Sequence, residues 1–236
     1  MTEKIFKITA LIYFFYGPYY VIVSILYLFS VIPSFYVLTS PGYLSGMPHV
    51  IFTLIRCIMF ICFGCCISMA WIKAGKLFQD IKAEIAGILL IFWCLWTNIY
   101  EIFSLFFFYF HKGFINFGFQ YYVLGGPLTI LNVTMSMLAV AGWVLLSIFL
   151  FGMKHTNNIF LYAGILWLLA PIAIFVIEIA LVGIFPPFSP YLNFRFFLQG
   201  YLSLSFQIPL SIALGKAFLR MDQKSLFNYF AQTKKI

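Results

Sequence analysis

Six long apolar stretches, parted only by short connections, set the terms for what this chain can fold into. A helix rising about 1.5 Å per residue needs about 20 apolar residues to cross a hydrocarbon core roughly 30 Å thick. The stretches cover 8–30, 50–72, 85–109, 122–150, 159–184 and 196–219. Strands of a membrane barrel would read as segments of about ten residues with alternating polarity. These runs are continuously apolar, so the expected fold class is an all-α membrane protein, a six-span transmembrane helical bundle. No polar linker interrupts it, so 1–236 is expected to be one polytopic domain with a short tail, 220–236. Composition excludes the alternatives. With 64% hydrophobic and 8% charged residues, the chain can neither clothe a soluble surface nor stay solvated as a disordered one.

The connections alternate in charge. Lys4 and Lys7 precede the first stretch, Lys73, Lys76 and Lys82 join the second to the third, and Lys154 joins the fourth to the fifth. Lys216, Arg220, Lys224, Lys234 and Lys235 follow the sixth. The intervening connections hold only Lys112 and Arg195. The positive-inside rule then places both termini in the cytoplasm, which an even number of spans requires. The first apolar run is too long for a secretory signal, whose core covers about 7–15 residues, and reads as a retained span.

The chain also resembles itself. A shift of 77 residues aligns Ala86-Gly87-Ile88-Leu89 with Ala163-Gly164-Ile165-Leu166, Glu101-Ile102 with Glu178-Ile179, and Asn116-Phe117 with Asn193-Phe194. The inner ends of the even spans echo one another at Gly75-Lys76, Gly152-Met153-Lys154 and Gly215-Lys216. The expectation is two tandem two-helix repeats in a parallel arrangement, with the first two spans as a diverged third.

Charges inside hydrocarbon cost on the order of 3 kcal/mol each on insertion scales, so they persist where they are paired, solvated or used. Arg56, Glu101 and Glu178 fall within spans. Their depths below the outer ends, roughly 9, 12 and 9 Å at 1.5 Å per residue, define one layer. Arg195, at the outer mouth of the last span, can reach toward it. Asn98 is one turn from Glu101, and Asn132 and Gln199 add hydrogen-bonding groups. Arg56, Glu101, Glu178, Arg195 and Asn98 are therefore the candidate ion or substrate site. The same set reads equally as a structural ion-pair network.

Nothing points to a cofactor or a metal. Cys62-Phe63-Gly64-Cys65-Cys66 contains a C-x-x-C spacing, but it lies at mid-span without the neighbours that activate a thiol, so small-residue packing is its expected role. Of the three histidines, His49 and His111 belong to outer ends and His155 to an inner loop, which gives neither facing haem ligands nor a zinc set. No hydrolase or phosphate-loop motif occurs, so no catalytic residue is assigned. The cations sort by membrane side, not along a phosphate-binding stripe, which excludes nucleic acid. The expected partners are the lipid bilayer and, through an aromatic-rich surface, other membrane proteins or a second copy. The leading function is a transporter or channel subunit for an ion or small solute. The alternatives are a non-catalytic assembly subunit of a larger membrane complex and, third, an enzyme acting on lipid.

Overall fold

The computed structural model describes residues 2–28, 46–110, 125–184 and 192–221, with side chains over most of 3–15, 54–100, 133–173 and 205–221. Among these residues there is no strand, and six α-helices account for nearly all of them: α1 (Thr2–Leu28), α2 (Gly46–Phe78), α3 (Ile81–Phe110), α4 (Gly125–Gly152), α5 (Asn158–Ile184) and α6 (Leu192–Arg220). Four stretches are long and apolar enough to cross a membrane: Leu54–Phe78, Ile81–Tyr100, Val133–His155 and Asn158–Leu181. An integral membrane protein fits this arrangement. The outer connections that bear on orientation lie outside the described residues, as does the tail from 222 onward, the repeat pair at Asn116-Phe117 and the side chains of His49 and His111.

Helices α1 and α2 run past the apolar stretches at their lysine-bearing ends. Lys4 and Lys7 lie on α1, and Lys73 and Lys76 lie on α2, not in a link. A helix satisfies its own backbone polar groups, so it gains by continuing into the interface while lysine stems carry their charges to water. The link from α2 to α3 is only Gln79 and Asp80. Gln79 takes φ 54°, the left-handed conformation that ends a helix, and the Asp80 N–H donates to the Gly75 carbonyl at 2.9 Å. This is a Schellman closure. The Asp80 carboxylate then accepts the Lys82 N–H at 2.8 Å and caps the start of α3. Asn157 does the same for α5, accepting from the Ile159 N–H at 2.9 Å after a 3-10 turn at Met153–His155.

The chain divides into two compact units, Ser45–Leu146 and Met1–Leu44 with Ser147–Ile236. In the first, α2 and α3 form a tight antiparallel hairpin whose buried residues are mostly small, Cys57, Ala70 and Ala74 on α2 and Ala83, Ala86 and Cys94 on α3, with Trp71 and Phe78 as the bulky members. The part of α4 up to Leu146 is held to α3 by wide side chains, with Trp93 edge-on to Trp143 at 5.9 Å. In the second unit α1 and α6 pack antiparallel, the Phe218 ring lying 5.8 Å from both Phe6 and Tyr13, and α5 packs on α6.

The two-helix repeats expected from the 77-residue shift are not confirmed, though one pair of helix starts has that spacing. The shift carries Ile81 at the start of α3 onto Asn158 at the start of α5. Ala86 and Ala163 are both fully buried, and Gly87 and Gly164 both lie close against the preceding helix, at Ser68 and Ile72 and at Leu150 and Phe151. The shift is not kept by α4 and α6, which start at Gly125 and Leu192. The three Gly-Lys ends also differ. Gly75 and Gly215 are in close contact, with Glu84 and Phe14, whereas Gly152 faces open space. The closest partner of α3 is α2, not α4.

Candidate functional site

The α2–α3 hairpin has its register fixed by glycines. A methyl group on Gly75 would lie 2.6 Å from the Glu84 backbone nitrogen, and one on Gly87 would lie 2.7 Å from the Ser68 carbonyl oxygen and 2.9 Å from the Ile72 nitrogen. Further along, the side chain of Cys94 fills the space beside Gly64. Its thiol donates to the Phe60 carbonyl at 3.5 Å. Each step back along α2 thus matches a step forward along α3. Seven residues on from Cys94 is Glu101, and seven back from Gly64 is Cys57, the neighbour of Arg56. Gly87, Cys94 and Glu101 are spaced by sevens and share the stripe of α3 that meets α2. The backbone therefore sets position 101 level with position 56.

Arg56 lies within the apolar span Leu54–Phe78 and is half-buried, next to Cys57, which is fully buried. Asn98 is 7% exposed. Its amide nitrogen donates to the Cys94 carbonyl at 2.8 Å and lies 3.8 Å from the Cys94 sulfur. One donor group of Asn98 is thus committed within α3, tying it to the residue that locks against Gly64. Glu101 is in α3, Glu178 in α5 and Arg195 in α6, and their side chains, with those of Asn132 and Gln199, lie outside the described residues.

Two features were not read from the sequence. Cys62 and Cys66 are exposed, not packed, while Cys57 and Cys94 are buried. In hydrocarbon a thiol is as acceptable toward lipid as toward a neighbouring helix, so the composition of the C-x-x-C segment carried no facing information. The other feature lies in the second unit. The indole N–H of Trp167 in α5 and the amide oxygen of Gln207 in α6 are buried without hydrogen-bond partners among the described residues. Pro171, inside α5, also removes the donor that would bond the Trp167 carbonyl. Gln207 was visible, with Gln199, as one of two amides in the apolar stretch 196–219, and Pro171 four residues after Trp167 was the accompanying signal.

Among the described residues no group of three or more His, Cys, Asp or Glu side chains is arranged to hold a metal ion. What the first unit presents is a guanidinium inside an apolar span and, level with it on the tightly packed neighbouring helix, the position of a carboxylate. Comparison with protein-family models, with curated proteins and with solved structures finds no match for the chain.

Proposed function

We propose that the chain is a six-span polytopic membrane protein with both termini in the cytoplasm, a subunit that moves an ion or small solute across its membrane. The observation that supports this reading is the hairpin register, which, counted on from the Gly64–Cys94 contact, brings position 101 near the level of Arg56, at a depth where an ionised group is costly. Glu178, at the position equivalent to Glu101 under the 77-residue shift, supplies the second carboxylate, and Arg195 and Asn98 tune the pair. The matching starts of α3 and α5, with the same Ala-Gly approach to the preceding helix, support reading them as copies.

Flux tests it. In liposomes holding the full chain, Glu178→Gln is expected to reduce ion or solute flux to the protein-free background while folded yield stays within about twofold, since a carboxyl-to-amide change nearly conserves volume. Unchanged flux would remove Glu178 from the pathway. Orientation is tested by thiol labelling in intact cells on a cysteine-free background. Single cysteines at 79–82 and 224–236 should stay protected from a membrane-impermeant maleimide, and those at 36–44 and 186–190 should react. Reaction at 79–82 would overturn the assignment of sides.

A second reading, a non-catalytic subunit that braces a larger membrane complex, is favoured by the closeness of the hairpin. Backbone contact at Gly75 and Gly87 and the bond from Asn98 back to Cys94 suit a rigid clamp as well as they suit a pathway wall. The two readings part on whether the carboxylates can be neutralised without loss of the fold.

A further inference from the structure

The inner end of the unit formed by α1, α5 and α6 is far more basic than that of the α2–α3 hairpin. The antiparallel contact of Phe6 with Phe218 puts the start of α1 beside the end of α6. The link from α5 to α6, residues 185–191, is too short to run the length of a helix, so α5 also starts at this end. Lys4, Lys7, Lys154, Lys216 and Arg220 therefore gather there, and among the described residues the one acid with them is Glu3, held by Lys7 at 2.7 Å. Lys4, Lys154 and Lys216 are exposed. The hairpin end carries Lys73, Lys76 and Lys82 but offsets two of these three charges with Asp80 and Glu84, and Lys82 lies 3.6 Å from the Asp80 carboxylate.

Lys4 also tops an apolar stripe, and Lys216 has an exposed apolar neighbour. On α1, Lys4 is followed at helical spacing by Ile8, Leu11 and Phe15, which are 50%, 55% and 70% exposed. On α6, Lys216 stands one turn from Ile212, which is 43% exposed. A cation at headgroup level above an outward apolar stripe has the chemistry of a phospholipid in reverse: a site for the phosphate, then a surface for the acyl chain.

We propose that the inner end of this unit is a docking surface for anionic phospholipid, recognised through its headgroup phosphate and net negative charge, and that the hairpin end is not. The proposal rests on the chain lying in a bilayer, not on its moving a solute. It is tested with the full chain in phosphatidylcholine vesicles containing a minority of phosphatidylglycerol, reading the motionally restricted fraction of spin-labelled lipid of each kind by electron paramagnetic resonance. The expected result is an association constant for phosphatidylglycerol about tenfold above that for phosphatidylcholine at low salt, declining as salt is raised. Lys4→Gln, Lys154→Gln and Lys216→Gln together should bring the ratio to near parity. Lys73→Gln, Lys76→Gln and Lys82→Gln, which remove the same charge from the hairpin end, should leave it within about twofold of the unmodified chain. No preference in the unmodified chain, a preference untouched by the first triple variant, or an equal fall in both variants would each overturn the proposal. The salt series on the unmodified chain needs no variant, so poor folding of either one leaves the test intact.

Discussion

Gly87→Ala should be one of the two most costly methyl additions to the described part of the α2–α3 hairpin, with Gly75→Ala, whose carbon would meet the Glu84 nitrogen at 2.6 Å and the Asp80 carbonyl oxygen at 2.9 Å. The carbon added at Gly87 would lie 2.7 Å from the Ser68 carbonyl oxygen, 2.9 Å from the Ile72 nitrogen and 2.6 Å from Ile72 Cγ1. The first two are backbone atoms of α2, so no side-chain rotation relieves them and the helices must part. Overpacking of this kind costs about 1–3 kcal/mol before the loss of neighbouring contacts is counted. Here the parting would also loosen the small-residue seam at Ala83, Ala86 and Cys94. Thermal unfolding in detergent checks it, with two internal controls. Gly142→Ala would meet its neighbours at 3.5–3.6 Å, an ordinary contact, and should be close to neutral. Gly152→Ala enters open space and should stabilise the end of α4, by up to about 1 kcal/mol from helix propensity. If all three glycines respond alike, the hairpin is not sealed by backbone contact and its register loses its anchor.

That register is the part of the site the sequence could not supply. Hydropathy located the four helices that are long and apolar enough to cross a membrane, because a helix must be apolar wherever lipid surrounds it. The helix ends did not follow, since hydrogen bonding carries helices beyond the hydrocarbon and placed Lys73 and Lys76 on α2. Arg56, Glu101 and Glu178 stood out because an ionisable residue in such a run is rare. Which of them are level across a helix pair depends on where one helix meets the next, and that is set by Gly64, Gly75 and Gly87 with a two-residue turn at Gln79 and Asp80. A glycine in a span looks the same in the sequence whether it faces a neighbour or lipid. Gly75 and Gly152 both precede inner-end lysines, yet one touches Glu84 and the other touches nothing. The exposed Cys62 and Cys66 make the same point, because lipid and protein interior are nearly alike as surroundings for a small apolar group.

Glu101→Gln alone should destabilise the chain by about 3–5 kcal/mol if Arg56 and Glu101 form a pair, because it leaves a guanidinium in a low-dielectric layer without its counter-charge. Arg56 keeps Cys57 as its neighbour, but a neutral thiol cannot replace a carboxylate as a charge partner. Combining Arg56→Gln with Glu101→Gln removes both charges and both desolvation costs, so the double variant should recover most of the lost stability, and two uncharged amides could still bond across the hairpin. A full cycle by thermal unfolding in detergent gives the coupling energy. Coupling near zero would break the pair that the register proposes and leave Arg195 as the remaining cation for Glu101. Flux measured on the same four proteins separates brace from pathway. In a brace, activity falls with Glu101→Gln and returns with the double variant, in step with the melting temperature. In a pathway, stability returns with the double variant while flux stays lost, since the pair of amides restores the packing but neither a proton-exchanging carboxylate nor a charge for a cation to meet. The double variant is the decisive protein, because it alone restores the fold without restoring the carboxylate.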